Sequence, residues 1–301
     1  MKIAGKFTTD DLPQVCPLLS RKTNPRYGSD HRRVVEVAGV RFGTGLPVVI
    51  AGPCAVEGWE QTIELARIAK ASGADMLRGA AFVPQTSPHR FQGLGLEGLK
   101  ILRAAGNETS LPVVTEVIDV RLVELVAQYA DMLQIGSRNM HNYPLLVEVG
   151  RTQKPVLLKR GMSATLCEWL GAAEYIAKEG NLEIVLCERG IRAYPGGEYS
   201  RFALDLNVIP AARAETFLPV IVDPSHATGV AAMVEQASRG ALGFGCDGLM
   251  IEITSNRVDA LRPQCDADQA VDPATLRRII RFANSREEQD AGKVHVFGWA
   301  G

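Results

Sequence analysis

Short apolar runs alternate with longer amphipathic stretches along most of this chain, and the alternation repeats eight times. The apolar runs fall at residues 47–51, 75–77, 112–115, 132–135, 155–158, 184–186, 219–222 and 248–251. Their length and flanking turn residues predict strands. Between them, apolar side chains recur at helical spacing, as Ile63, Ala66, Ile68 and Ala69 do within 59–72. Residues 119–129, 163–179 and 231–241 carry the same period, and Asp119 and Ser163 at the heads of two of these stretches are expected N-caps. Eight consecutive strand-then-helix beats favour a closed (β/α)8 TIM barrel over an open doubly wound sheet, which needs fewer strands.

The flanks differ from the repeating part. Residues 1–28 are polar and proline-rich, and 34–43 (VVEVAGVRFG) predict a hairpin turning at Ala38-Gly39, placed to cap the barrel floor. A last helix is expected at 273–284, then a charged stretch at 285–292 and an apolar close at 294–299 that packs on the body or on another subunit. The expected organisation is an N-terminal extension with hairpin at 1–45, the barrel at 46–284 and a C-terminal tail at 285–301.

The chain has 301 residues, enough for one barrel of roughly 250 residues plus short extensions. Hydrophobic residues make up 46%, charged residues 22%, and the formal net charge is -1, so no basic excess points to nucleic acid. An anionic ligand would need a local cluster of cations. Neither a signal-type N-terminus nor a membrane-length apolar run is present, so a cytoplasmic location is expected. The six cysteines are scattered without CxxC pairs, which predicts reduced thiols rather than a disulfide framework.

Active sites of such barrels lie at the carboxyl ends of the strands. There the sequence places Cys54, Arg78, Glu116, Arg138, Lys159, Glu188 with Arg189, Asp223 with His226, and Glu252. One polar residue beside a loop is unremarkable, but four cations at one mouth would repel one another unless an anion belongs among them. Guanidinium forks suit phosphate and carboxylate oxygens, so Arg78, Arg138, Lys159 and Arg189 predict a small, multiply charged anion. Cys54, His226, Glu252 and a further acid, Asp266 or else Asp268, offer thiolate, imidazole and carboxylate ligands. That mixture suits a divalent metal ion such as Mn, Fe, Co or Zn better than Mg or Ca.

The runs IAGPCAVEG (50–58), LRGAAFVPQTSPHRFQGLG (77–95), VVTEV (113–117), LQIGSRNM (133–140), PVLLKRGMSAT (155–165), LCERGIR (186–192) and VDPSHATG (222–229) resemble the type I-beta 3-deoxy-D-arabino-heptulosonate 7-phosphate (DAHP) synthases. The ketodeoxyoctulosonate 8-phosphate synthases are relatives of that family. The likeness spans residues 33–284, with seven motifs in the family's order. It implies a metal-dependent aldol-type condensation of phosphoenolpyruvate with erythrose 4-phosphate, at the entry to aromatic biosynthesis. It further implies that Cys54, His226 and Glu252 are metal ligands, with Asp266 in the best register for the fourth. By the same resemblance Arg78, Arg138, Lys159 and Arg189 hold phosphoenolpyruvate or its phosphate, and Gln85, Thr86 and Ser87 lie on the substrate loop. The chemistry falls to Lys159, Glu116, His226 and Cys54. Lys159 is a candidate proton donor if other cations crowd it, with a purely electrostatic role as the alternative. A homo-oligomer, dimer or tetramer, is expected from the family.

The chain departs from the family where the aldose is received. The family's GGAFKPRTSP stands here as Gly79-Ala80-Ala81-Phe82-Val83-Pro84-Gln85-Thr86-Ser87-Pro88, so Val83 and Gln85 replace a lysine and an arginine. Each charge-assisted hydrogen bond lost at a desolvated site is worth on the order of 1.5–3 kcal/mol. His89 and Arg90 follow on the same loop as partial replacements, and His141 stands where glutamine is common. The family's EVHP reads Glu252-Ile253-Thr254-Ser255, with extra residues at 261–269. No regulatory domain precedes the barrel motifs, so feedback control through such a domain is not expected. An alternative reading is a diverged synthase that keeps the phosphoenolpyruvate half and takes another aldehyde in specialised metabolism. A non-catalytic binding barrel has no reason to keep the cations and the metal set together.

Overall fold

The period-two alternation along each predicted strand separates two apolar populations in the computed structural model, which describes residues 9–24, 32–85, 87–193, 201–255, 264–265 and 267–285. Strands β1 (Val35–Val37) and β2 (Val40–Phe42) form the antiparallel hairpin, with Ala38 and Gly39 at positive φ in its turn. Eight parallel strands follow: β3 (Val48–Gly52), β4 (Met76–Arg78), β5 (Val113–Glu116), β6 (Met132–Ile135), β7 (Val156–Lys159), β8 (Ile184–Glu188), β9 (Val220–Val222) and β10 (Gly248–Glu252). They pair in sequence order, and β10 pairs back onto β3 to close a (β/α)8 barrel.

Ile50, Met76, Val114, Met132, Leu157, Val185, Ile221 and Met250 form one buried cluster inside the barrel. Their neighbours Val49, Leu77, Val113, Leu133, Val156, Leu186, Val220 and Leu249 join a larger cluster with the surrounding helices. Successive side chains of a strand point to opposite faces, so each strand contributes to both. Val35, Val37 and Phe42 of the hairpin belong to the interior cluster, alongside Val48 at the amino end of β3. The hairpin therefore closes the barrel floor.

Strand starts are fixed by chemistry that repeats. Pro47, Pro112, Pro155 and Pro219 stand just outside β3, β5, β7 and β9, where a missing N–H costs no ladder bond. Three of their carbonyls still accept from the neighbouring strand, at Leu77, Leu133 and Leu186. Asp75, Asp131 and Asp247 precede β4, β6 and β10 and accept the N–H groups of Val49, Val113 and Val220 at 2.7–2.8 Å. Strand ends run further than the apolar pattern predicts. Gly52, Arg78, Glu116, Lys159, Glu188 and Glu252 lie inside the strands, because the backbone ladder continues past the last apolar side chain.

The helices are α1 (Leu12–Val15), α2 (Trp59–Ser72), α3 (Leu96–Thr109), α4 (Val123–Tyr129), α5 (Tyr143–Arg151), α6 (Leu166–Lys178), α7 (Val208–Glu215), α8 (Pro224–Thr228), α9 (Ala231–Gly243) and α10 (Pro273–Asn284). Asp119 caps a short 3-10 turn leading into α4, accepting from the Arg121 N–H at 2.9 Å. Ser163 does not cap α6. Thr165 does, in a reciprocal box with Glu168, because only Thr165 lies three residues ahead of an acid that can reach back. Trp169 of α6 is fully buried and donates its indole N–H to the Leu158 carbonyl of β7. Among the described residues no helix is long and apolar enough to cross a membrane. The predicted tail segments at 286–292 and 294–299 lie outside the described residues.

Candidate active site at the carboxyl ends of the strands

A cavity of about 420 Å³ opens where β3 to β10 end, and Arg78, Arg138, Lys159 and Arg189 all line it. The four predicted cations thus share one mouth. Arg78, Lys159 and Arg189 are buried, while Arg138, on a short 3-10 turn after β6, is exposed at the rim. Arg78 donates from Nη2 to the Cys54 carbonyl at 3.1 Å, and its Nη1 lies 2.9 Å from Glu252 Oε1. Lys159 Nζ lies 2.5 Å from Asp223 Oδ2, so a carboxylate partners this ammonium and the expected crowding by cations is not its immediate environment. That contact favours the electrostatic alternative. Arg189 stacks its guanidinium 4.1 Å from the Phe202 ring centre and makes no ion pair among the described residues. Burial pushes the Arg189 pKa down, and although the Asp223 carboxylate pulls it up, Arg201 nearby adds to the lowering and the net shift is downward.

Cys54, His226 and Glu252 present ligand atoms that all lie within 4.8 Å of one another. His226 sits on α8, immediately after β9, and its Nδ1 is 2.7 Å from Asp223 Oδ2. Burial pulls the Asp223 carboxyl upward, but His226, Lys159 and Arg78 outweigh it and hold the group well below the ordinary carboxylate range. The ionised carboxylate favours the tautomer in which Nδ1–H donates to it, and Nε2 lies 3.2 Å from Glu252 Oε1. Gln269 Nε2 donates to the other Glu252 oxygen at 2.6 Å, and the Glu252 N–H reaches Ser225 Oγ at 3.0 Å. Glu252 Oε1 is buried and has no aligned hydrogen-bond donor, despite its short approach to Arg78. An unsatisfied buried carboxylate oxygen beside a thiol and an imidazole nitrogen fits a divalent cation. Without one, the Cys54 thiol is pushed well above its ordinary value by its contact with Cys265, by burial and by Glu252.

Glu116 ends β5 and accepts from Gln134 Nε2 at 3.0 Å. A Cβ at Gly136 would fall 2.1 Å from Glu116 Oε1, so glycine there makes room for the acid. Burial raises the Glu116 pKa, and Lys159 and Gln134 only partly oppose it. Glu188 turns away from this role: it binds Arg160 Nη1 at 2.9 Å and the Gly190 N–H at 2.6 Å, a buried network that shapes the turn after β8.

Gln85 and Ser87 line the cavity, whereas Thr86 and Asp266 lie outside the described residues. Asp268 is exposed, on a 3-10 turn, and stands apart from the Cys54–His226–Glu252 cluster. Val83 is buried with Ala55, Ala80 and Cys265 in a small apolar cluster on the cavity wall. Arg90 lines the cavity, whereas His141 sets its ring edge-on to Tyr143. Arg201, Gln134, Gln269 and Cys265 were not anticipated from sequence, although Gln134 lies inside one of the family-like runs. Cys265 and Cys54 are 211 positions apart, and no spacing rule connects them.

Eight parallel strands with helices between them, and an ionisable cluster at their carboxyl ends, define a (β/α)8-barrel protein with the site layout of the barrel enzymes. The chain belongs to the DAHP synthetase I family, whose sequence profile matches residues 26–290. It is 41% identical over 264 residues to phospho-2-dehydro-3-deoxyheptonate aldolase of Thermotoga maritima, a match covering 88% of this chain and 75% of that one. A crystal structure of the Thermotoga maritima phospho-2-dehydro-3-deoxyheptonate aldolase (DAHP synthase) superposes with a TM-score of 0.81 at 40% identity, covering 91% of this chain and 77% of that chain. Identity to 2-dehydro-3-deoxyphosphooctonate aldolase of Syntrophotalea carbinolica is 31% over 266 residues, 82% of this chain and 93% of that protein.

Proposed function

We propose that this protein condenses phosphoenolpyruvate with erythrose 4-phosphate to give DAHP and phosphate, the first step of the shikimate pathway. The observation that carries this reading is the meeting of Arg78, Arg138, Lys159 and Arg189 with Cys54, His226 and Glu252 around one cavity. Family membership and the 41% identical relative support it.

In the proposed reaction C3 of phosphoenolpyruvate attacks the acceptor aldehyde, water adds at C2 and phosphate leaves. Arg78, Lys159 and Arg189 hold the donor's carboxylate and phosphate in a site where burial strengthens each contact, and Arg138 closes on it from the rim. Lys159, fixed by Asp223, presents positive charge where negative charge accumulates. Glu116, whose proton is held more tightly than that of an exposed glutamate, is placed to hold or release a proton beside the donor. Cys54, His226 and Glu252, with Asp266 as fourth ligand, would hold an ion of the Mn, Fe, Co or Zn type. Such an ion supplies Lewis acidity toward the aldehyde or the water. The reading extends to a cytoplasmic enzyme that assembles as a dimer or tetramer, which sedimentation equilibrium checks.

Phosphate release from phosphoenolpyruvate, measured with three-, four- and five-carbon aldehydes and with or without divalent ions, tests the reaction. Release is expected with erythrose 4-phosphate and only when an ion is supplied. Cys54→Ala and His226→Ala are each expected to abolish it while far-UV circular dichroism is unchanged, and an active, metal-free Cys54→Ala protein would defeat the ligand assignment. A second reading rests on Val83 and Gln85, which line the acceptor side without charge. Under it the donor half is kept and a different, less phosphorylated aldehyde is preferred in the same assay.

A further inference from the structure

Arg160 follows Lys159 at the end of β7 but does not line the cavity that Lys159, Arg189 and Arg201 line. It is buried, and two carboxylates meet its charge. Its Nη1 donates to Glu188 Oε2 at 2.9 Å and to Asp205 Oδ2 at 2.8 Å, while Nε donates to the Ala164 carbonyl at 2.8 Å. A guanidinium neutralised in this way adds no free positive charge for a ligand. Stability alone does not account for the network either, because well-packed apolar side chains often hold a core as well as a buried ion network does, or better.

What the network does is join segments that no single element spans. Glu188 ends β8, and its other oxygen accepts the Gly190 N–H at 2.6 Å, which clamps the backbone on both sides of Arg189. Asp205 ties down the segment 201–205. Ala203 of that segment exchanges two backbone hydrogen bonds with Ile191, each 2.9 Å, and the Phe202 N–H donates to the Ala227 carbonyl of α8 at 2.8 Å. The Phe202 ring in turn lies 4.1 Å from the Arg189 guanidinium. Gly190 lets the turn and the segment meet, since a Cβ there would fall 2.7 Å from Phe202 Cβ.

We infer that Arg160 is a positioning residue for the donor site: through Glu188 and Asp205 it holds the turn after β8 against the segment bearing Phe202, and the two together aim Arg189 into the cavity. Among the described residues Arg189 makes no ion pair, so its direction is set by the backbone it stands on and the ring beside it. Misplacing a binding group by about 1 Å can cost on the order of 100-fold in the reaction it serves. The inference rests on the reading above that Arg189 holds phosphoenolpyruvate.

Titration calorimetry of phosphoenolpyruvate into the full chain, with manganese and without aldehyde, tests it. Arg160→Met is expected to weaken binding about tenfold or more. In turnover with erythrose 4-phosphate the same loss is expected in KM for phosphoenolpyruvate, with kcat within about threefold of the unaltered protein. Arg189→Ala is expected to weaken binding at least as much, and adding Arg160→Met to it is expected to cost less than about threefold more, because residues that act through one contact are not additive. Asp205→Asn keeps the side-chain shape at the half-exposed end of the network and leaves Glu188 on Arg160, so it is expected to fold normally even where Arg160→Met does not. It is expected to weaken binding roughly three- to fivefold, again without adding to Arg189→Ala. Additive losses in the double variants, a fall in kcat with KM unchanged, or full affinity in Asp205→Asn would each overturn the positioning role while leaving the donor site standing. Full affinity in Arg189→Ala would instead remove Arg189 from the donor site, and the role of Arg160 would fall with it.

Discussion

At His226 a single hydrogen bond decides which ring nitrogen faces the cavity. Asp223 is ionised and lies 2.7 Å from Nδ1, so Nε2 is left to bind. Asp223→Asn keeps the shape and loses the charge, and is expected to weaken metal binding about 10- to 100-fold. Direct titration with zinc checks this, and an unchanged affinity would separate Asp223 from the site's orientation. The acceptor side turns on two other residues. Val83→Lys with Gln85→Arg is expected to raise the specificity constant for erythrose 4-phosphate, on the order of tenfold or more if either charge-assisted bond of about 1.5–3 kcal/mol is restored. An unchanged or lower value would indicate that Arg90 and Arg201, which also line the cavity, have reorganised the site in another way. The four cations and the Cys54, His226 and Glu252 group were legible in sequence because they recur together at successive strand ends and fall in the family-like runs. Gln269 and Cys265 were not, since a glutamine or cysteine within 261–269 carries no signal until the fold brings it beside Glu252 or Cys54.

Helix α6 starts three residues beyond Ser163, and the difference is a matter of side-chain reach. Thr165 and Glu168 satisfy each other's backbone N–H groups, with Thr165 N to Glu168 Oε2 at 2.7 Å. Thr165→Ala is therefore expected to cost about 1 kcal/mol in urea denaturation, and Ser163→Ala close to nothing. Equal effects would remove the distinction between the two positions. The strands show the same kind of limit. Hydrophobic runs located all eight, but each run was taken to end at its last apolar residue. In the barrel Arg78, Glu116, Lys159 and Glu252 stay in register with neighbouring strands, because the backbone ladder pairs N–H and C=O groups whatever side chain a residue carries to the mouth.

Across the whole molecule the mouth carries the chemistry and the floor carries stability. Asp247, on the floor side of β10, is buried and accepts from Arg32 and from the Val220 N–H. Burial pushes its carboxyl up, more than Arg32 and the Val220 N–H pull it down. The folded chain thus holds this proton to higher pH than the unfolded chain does. The stability the group contributes is full below the unfolded value of about 3.9 and is lost as pH rises through the folded value. Asp247→Asn cannot ionise, so from pH 4 to pH 7 the thermal midpoint of the unaltered protein is expected to fall relative to the variant's. A pH-independent difference between the two would contradict the assignment.

Periodicity, proline placement and residue chemistry by themselves determined the barrel, its hairpin floor and the cations and the thiol, imidazole and carboxylate groups of its mouth, because each depends on local spacing or on side-chain type. Only the tertiary structure decided which charges neutralise one another. Lys159 with Asp223, Arg78 with Glu252 and Arg160 with Glu188 join residues between 28 and 174 positions apart. Such pairs are set by how the strands close into a ring, and no stretch of sequence contains that distance.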